Sequence, residues 1–219
     1  MKAFIFDFDG VIVDSERHWI TLGDDVFFPS IVPGWTRADG ARMMGLGVES
    51  SHEFLTREYG LRMPFSEFSR RLEECVDVVY GERAKPLPGL DVLLAYLARN
   101  NIPIGIASSS KRRWIEKALE RLGLRHHFRT IRSGDDVGDR TKPHPDVYLL
   151  AAGDLGAEPA TCVVIEDSTN GVAAAKAAGM TCIALRTDVN GEQDLSQADT
   201  LVTQLDAVPD ILTRFAPRS

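Results

Sequence analysis

The sequence predicts an α/β fold, a parallel sheet with helices on both faces and a helical segment inserted after the first strand. Three observations predict it. Short continuous apolar runs alternate with helix-period stretches from residue 90 onward. Nearly every apolar run ends in polar or acidic residues. Residues 16 to 83 break the alternation, carrying helical patterns but no convincing buried strand.

Ala3-Phe4-Ile5-Phe6 is apolar throughout and is ended by Asp7, Asp9 and Gly10, as suits a strand buried on both faces of a parallel sheet. The insert follows, with helical signals over Glu49 to Tyr59 and Phe65 to Tyr80 and with Gly60 as the stop of the first. Ser15-Glu16 and the stiff Gly81 to Gly89 segment are its two connections to the rest. Apolar residues at 90, 93, 94 and 97, then at 114, 115, 118, 119 and 122, read as two amphipathic helices. Between and after them lie strand-like runs at Ile102 to Ala107, Phe128 to Ile131, Cys162 to Ile165 and Thr181 to Leu185. Asp146 to Leu155 and Val172 to Ala178 continue the helical alternation, and Val208 to Phe215 reads as a closing helix. Repeated strand–helix units imply right-handed crossovers, and ligands of such sheets bind beyond the carboxyl ends of the strands.

Composition narrows the function. The net charge of −7, from 32 acidic and 25 basic residues, argues against a nucleic-acid partner but not against a small anionic substrate held by local donors and metal. Cys75, Cys162 and Cys182 form no CxxC pair or Cys/His cluster, which argues against zinc and for thiols in a reducing compartment. Asp7 and Asp9 interrupt any signal-peptide core, and no apolar run reaches the length of a membrane span. The expectation is a cytoplasmic protein with no membrane partner, a monomer or weak homo-oligomer.

Asp7-Phe8-Asp9-Gly10 directly after a buried strand is the strongest chemical signal. Two acids held close repel, and a divalent cation or a proton on one of them relieves this. A solvated strand end with two unrelated acids remains open. Ser108 ends a strand run, placed either to hold a phosphate oxygen near a helix N-terminus or to cap that helix. Lys142, in Thr141-Lys142-Pro143-His144-Pro145, either points its charge inward or is a surface lysine, and His144 reads as a turn residue. Glu166-Asp167 repeats the pattern of acids after a buried strand; a helix N-terminus would also favour them.

Taken together, DFDGVIVDSE at 7–16, IASSSK at 106–111, KPHPDVY at 142–148 and IEDSTNGVAAAKAAGM at 165–180 resemble, in order and context, the four motifs of the haloacid dehalogenase superfamily. The resemblance runs from the first strand to about residue 187. It implies a Rossmann-like core of residues 1–15 and 84–219 and a C1-type helical cap of residues 16–83. The branch is similar to the β-phosphoglucomutase-like sugar phosphatases. Carried over, the resemblance makes Asp7 a nucleophile that is transiently phosphorylated and Asp9 the acid and base. Mg²⁺ would be held by Asp7, the carbonyl of Asp9 and Asp167, with Glu166 orienting a metal water or joining the shell. Ser108 and Lys142 would bind phosphate oxygens, joined by Phe8 and Ser109, and Trp19 would form an apolar wall over the substrate. The implied partner is a small phosphate ester, a sugar phosphate or related acid. Arg42, Arg57, His52 and Trp35 are candidate specificity contacts in the cap.

Three other activities fit the pattern less well. Phosphonoacetaldehyde hydrolases need a cap lysine, and residues 11 to 84 contain none. A β-phosphoglucomutase has a histidine where this chain has Trp19, with His18 one place early, and a cap arginine absent from Gly45 to Glu53. A non-catalytic phospho-acceptor such as a receiver domain is shorter and has no insert after the first strand.

Overall fold

The computed structural model of the chain describes residues 1–43 and 46–213. Six strands form one sheet: β1 (Ala3–Phe6), β2 (Ile104–Ala107), β3 (Thr130–Arg132), β4 (Cys162–Glu166), β5 (Thr181–Leu185) and β6 (Thr200–Val202). Their order is β3-β2-β1-β4-β5-β6 and every pairing is parallel. The chain therefore winds outward from β1 through β2 to β3, then returns to β1's other side. The gap between β1 and β4 is the switch point where such sheets hold ligands.

β1, β2, β4 and β5 are buried on both sides, and their side chains divide by period two. Phe4, Phe6, Ile106, Val163, Ile165, Ile183 and Leu185 face one apolar cluster, completed by Leu93, Leu97, Ile115 and Leu119 from the helices Leu90–Arg99 and Arg112–Arg121. Ala3, Ile5, Ala107, Val164, Cys182 and Ala184 face the other, closed by Val147, Tyr148, Ala151, Val172 and Ala175 from the helices Asp146–Asp154 and Thr169–Ala177. Continuous hydrophobicity in the strands thus reflects cover on both faces.

Between β1 and β2 the chain is helical: Ser15–Trp19, then a wider π-type stretch Ile20–Phe27, then Phe28–Ile31, Arg37–Met43, Val48–Tyr59 and Phe65–Val78. Gly60 ends the fifth of these at φ +65°, its N–H reaching the Thr56 carbonyl and the next N–H, of Leu61, the Leu55 carbonyl, because a left-handed residue lets the free carbonyls find donors. In the sixth, Phe68, Leu72 and Val76 fall on one buried face, and the chain runs on into a π-type turn, Val79–Arg83. No described helix is long and apolar enough to cross a membrane.

The strands differ from the sequence reading at their edges. β2 starts after Pro103, which has no N–H for a ladder. β3 is shifted to Thr130–Arg132, since Arg125 takes the Phe128 carbonyl while Arg132 accepts the Ser108 N–H. β6 was not anticipated; it is a three-residue edge strand whose Leu201 is exposed, too short for an alternation to register. The closing helix is Val208–Leu212, and residues 214 and 215 of the expected helix lie outside the described residues.

Ile165, fully buried in β4, should be sensitive to truncation. Ile165→Ala is expected to cost about 2–5 kcal/mol in urea denaturation, from lost transfer energy plus the residual cavity.

Candidate active site

The strand order brings the tips of β1, β2 and β4 side by side, and each tip supplies a polar residue. Asp7 leaves β1 with its N–H still bonded to Ile165 of β4 (3.0 Å), and Ser108 leaves β2 bonded to Arg132 of β3 (3.0 Å). Asp167 follows β4 directly. Asp7, Glu166 and Asp167 are all buried, and one carboxylate oxygen of each lies within 4.8 Å of the others.

Lys142 is 2% exposed and its Nζ donates to Asp7 Oδ1 and to Glu166 Oε1, both at 2.6 Å. The surface alternative for this lysine is thereby removed. Tyr148 donates its hydroxyl to Glu166 Oε1 (2.7 Å), and Glu166 Oε2 accepts the N–H of Asp167 (2.9 Å), the N–H of Ser168 (3.0 Å) and the Ser168 hydroxyl (3.1 Å). Both oxygens of Glu166 are therefore spoken for by protein donors. Asp167 Oδ2 is buried with no hydrogen-bond partner.

Two glycines permit this crowding. A Cβ on Gly10, which sits at φ +70°, would come within 2.0 Å of Asp167 Oδ2. One on Gly171, in the first turn of the helix after β4, would come within 1.7 Å of Glu166 Oε1.

Three carboxyls surround one ammonium, so the cluster carries two negative charges too many if all ionise. Burial, with Glu166 next, pushes Asp7 up to about 8. Burial and the neighbouring acids raise Asp167 well above the carboxylate range. Burial also opposes the charge on Glu166, but Lys142 and the hydrogen bonds outweigh it and hold that carboxyl low. The ammonium of Lys142 is likewise opposed by burial and held charged by Asp7 and Glu166. A divalent cation beside Asp7 and Asp167 would supply the missing charge and a partner for the orphaned oxygen, so the donor set fits one.

Asp9 is placed differently. Its Oδ1 accepts from Ser15 and Tyr80 and its Oδ2 from Ser110, each at 2.6 Å. It borders a cavity of about 710 Å³ between the strand tips and the helical insert, as do Asp7, Ser108, Ser109, Lys142 and Trp19. Ser108 Oγ accepts the Ser110 N–H at 3.0 Å, and Ser109 Oγ is buried without a partner. Phe8 does not line the cavity through its side chain; the ring is fully buried against Tyr80.

The insert candidates go elsewhere too. Trp35 is buried beside Phe28 and Tyr59 and donates to Asp24; His52 bonds the Met63 carbonyl. Arg42 and Arg57 pair with Glu58 at the surface. Their residue type, not their position, had suggested them. His144 is an exposed turn residue.

Several residues on the cavity or the cluster were not singled out from sequence: Glu16, Asp24, Tyr80, Ser110 and Tyr148. Glu16 and Tyr148 each close one of the quoted motifs and Ser110 lies inside another, the signal that would have found them. Tyr80 and Asp24 lie in helical stretches with no local mark. Burial and the nearby Asp9 raise Glu16 to about 8.

Asp7 allows a direct test. Its folded-state pKa lies above the unfolded value, so the metal-free folded state binds more protons than the unfolded one and loses stability as pH rises from about 4 toward 8. The stability of Asp7→Asn relative to wild type should therefore increase over that range in chelator, read as the difference in melting temperature at each pH.

Residues 4–185 match the family model described as haloacid dehalogenase-like hydrolase. The putative phosphatase YhcW of Bacillus subtilis is 36% identical over 87% of this chain and 86% of its own length. Hexitol phosphatase B of Escherichia coli is 35% identical over 83% and 82%. Among solved structures, CbbY of Rhodobacter sphaeroides in complex with phosphate superposes with a TM-score of 0.81 at 27% identity, covering 95% of this chain and 96% of that one.

Proposed function

This chain belongs to the haloacid dehalogenase-like hydrolases and is a phosphatase, and from that premise we propose that it is a Mg²⁺-dependent phosphomonoesterase acting on a small sugar or polyol phosphate through an aspartyl-phosphate. The observation that carries the reading is the excess of buried carboxylate at Asp7 and Asp167, with one oxygen left without a partner, beside a cavity that a small metabolite fits.

In this reading Asp7 attacks phosphorus in line, the bond from phosphorus to the sugar oxygen breaks, and Asp9 protonates that oxygen as it departs. Asp9 then takes a proton from the water that attacks the aspartyl-phosphate, which frees Asp7 and phosphate. Ser108 and Lys142 bind the non-bridging oxygens and offset their charge in the transition state. Mg²⁺, held by Asp7, the Asp9 carbonyl and Asp167, would supply charge neutralisation to the phosphoryl group when bound. Glu166, its oxygens already occupied, serves in this reading to fix Lys142 and the loop after β4. Residues 16–83 act as the cap and residues 1–15 and 84–219 as the core, closure of the one on the other excluding water.

The charges along the cavity support an uncharged leaving group. Among the described residues, the cations lining it are Arg17, Arg37 and Lys142. Each is already paired, with Asp188, Asp25, and Asp7 together with Glu166. Among the described residues no unpaired cation lines the cavity for a second phosphate or a carboxylate. Hydrolysis over isomerisation is supported by Trp19 on the cavity wall and by His18, which lies off the cavity with its Nε2 3.6 Å from Asp14.

A screen of metabolite phosphates with Mg²⁺ tests the reading. Wild type should release phosphate from at least one hexose or hexitol monophosphate, Ser108→Ala should turn over roughly a hundredfold slower, and Asp7→Asn should match the blank. Release by Asp7→Asn at the wild-type rate would remove Asp7 as nucleophile.

The metal has a readout apart from activity. At about ten times its dissociation constant Mg²⁺ should stabilise the fold by about 1.4 kcal/mol, raising the melting temperature by roughly 3–6 °C. Asp167→Asn should abolish that shift.

A further inference from the structure

Tyr80 lies where the helical insert returns to the core, and it is 1% exposed. Its ring stacks on Trp114 (centroids 6.2 Å apart, 20° between planes) and lies against Phe8 (6.0 Å). Its backbone carbonyl accepts from Arg121 Nε at 2.9 Å, tying the segment to the core helix Arg112–Arg121. A phenol this deep must place its O–H on an acceptor, and the acceptor is Asp9 Oδ1 at 2.6 Å. The same hydroxyl accepts from Trp19 Nε1 at 3.3 Å, and Trp19 is a wall of the cavity.

Asp9 is thus gripped from both chain crossings between core and insert. Ser15, on the outgoing crossing, and Tyr80, on the returning one, donate to the same oxygen. Ser110, from the loop after β2, donates to the other. Three short hydroxyl donors leave the carboxylate little freedom to turn. Oδ1 is occupied by two of them, so Oδ2, with a single donor, is the oxygen with acceptor capacity left for a proton in transit.

We propose that Tyr80 is the positioning residue for Asp9, holding Oδ1 so that Oδ2 faces the leaving oxygen, and that Trp19 links this grip to the substrate cavity. The proposal rests on the reading of Asp9 as the proton donor. Tyr80 touches no reacting atom; it acts through the carboxylate it orients.

The test compares two esters of similar shape, 4-nitrophenyl phosphate and benzyl phosphate. Nitrophenolate leaves without a proton, whereas the benzyl alkoxide needs one, so only the second reports on a misplaced acid. Phosphoenzyme formation is followed in single turnovers by rapid quench, in wild type, Asp9→Asn and Tyr80→Phe. Tyr80→Phe keeps the ring and its packing; it should slow benzyl phosphate by about tenfold, the worth of one good hydrogen bond, and 4-nitrophenyl phosphate by less than about twofold. Equal slowing of both esters, or slowing of neither, overturns the proposal. If Tyr80→Phe does not fold by circular dichroism, Trp19→Phe, which frees the Tyr80 hydroxyl, should give the same selective loss at smaller size, and an unchanged ratio between the esters overturns it. Asp9→Asn separates the two claims. If it leaves benzyl phosphate cleavage intact, or if wild type cannot cleave that ester at all, the reading of Asp9 fails and this proposal with it. If Asp9→Asn stops cleavage while Tyr80→Phe shows no selectivity, only the role of Tyr80 falls.

Discussion

The constraint on which the rest of the molecule depends is electrostatic: Asp7, Glu166 and Asp167 are buried around the single ammonium of Lys142. Left in a low-dielectric interior, such a cluster would neutralise itself by taking up protons, and the raised values of Asp7 and Asp167 express that tendency. Glu166 escapes it because five donors converge on its oxygens. The fold therefore fixes one acid firmly and leaves two poised between proton and cation. That imbalance makes the strand tips useful for phosphate chemistry, where the incoming group is itself an anion and needs positive charge to meet it.

The backbone is arranged around this cluster. Parallel pairing of β1 with β4 places Phe6 opposite Ile165, so the residues that follow emerge together at one edge. Gly10 and Gly171 then allow the two loops to close without side chains between the acids. On the other side, Ser15 and Tyr80 bring both crossings of the helical insert onto Asp9. Asp7 and Asp9 are thus held by different parts of the chain: the first by the sheet and Lys142, the second by the joints to the insert.

Much of this was legible from residues alone, and the reasons are physical. Strands covered on both faces must be apolar throughout, so β1, β2, β4 and β5 announced themselves, and acids directly after such strands have few structural causes. Lys142 was readable from its prolines and the motif resemblance, though only the structure shows how completely it is enclosed. The edge strand β6 was illegible because three residues, of which only Val202 is buried, carry no period. Tyr80 was illegible for another reason: its partner lies 71 residues away, and nothing in a helical stretch marks one aromatic as bonded to a distant carboxylate. Conversely, Arg42, Arg57, His52 and Trp35 had the right chemistry, but ion pairs and packing within the insert absorb them.

The placement of β1 in mid-sheet also governs how the chain can assemble. β1 leaves the ribosome well before its neighbour β4, and one of its hydrogen-bonding edges stays open until β4 arrives beside it. Its all-apolar side chains and bare amides must wait through synthesis of the entire insert and two further strands. Long-range parallel pairing of this kind is slow to form and exposes sticky edges meanwhile. A chain that has not yet made β4 carries Asp7 without Glu166 and Asp167, so the buried acidic cluster closes only when the sheet does.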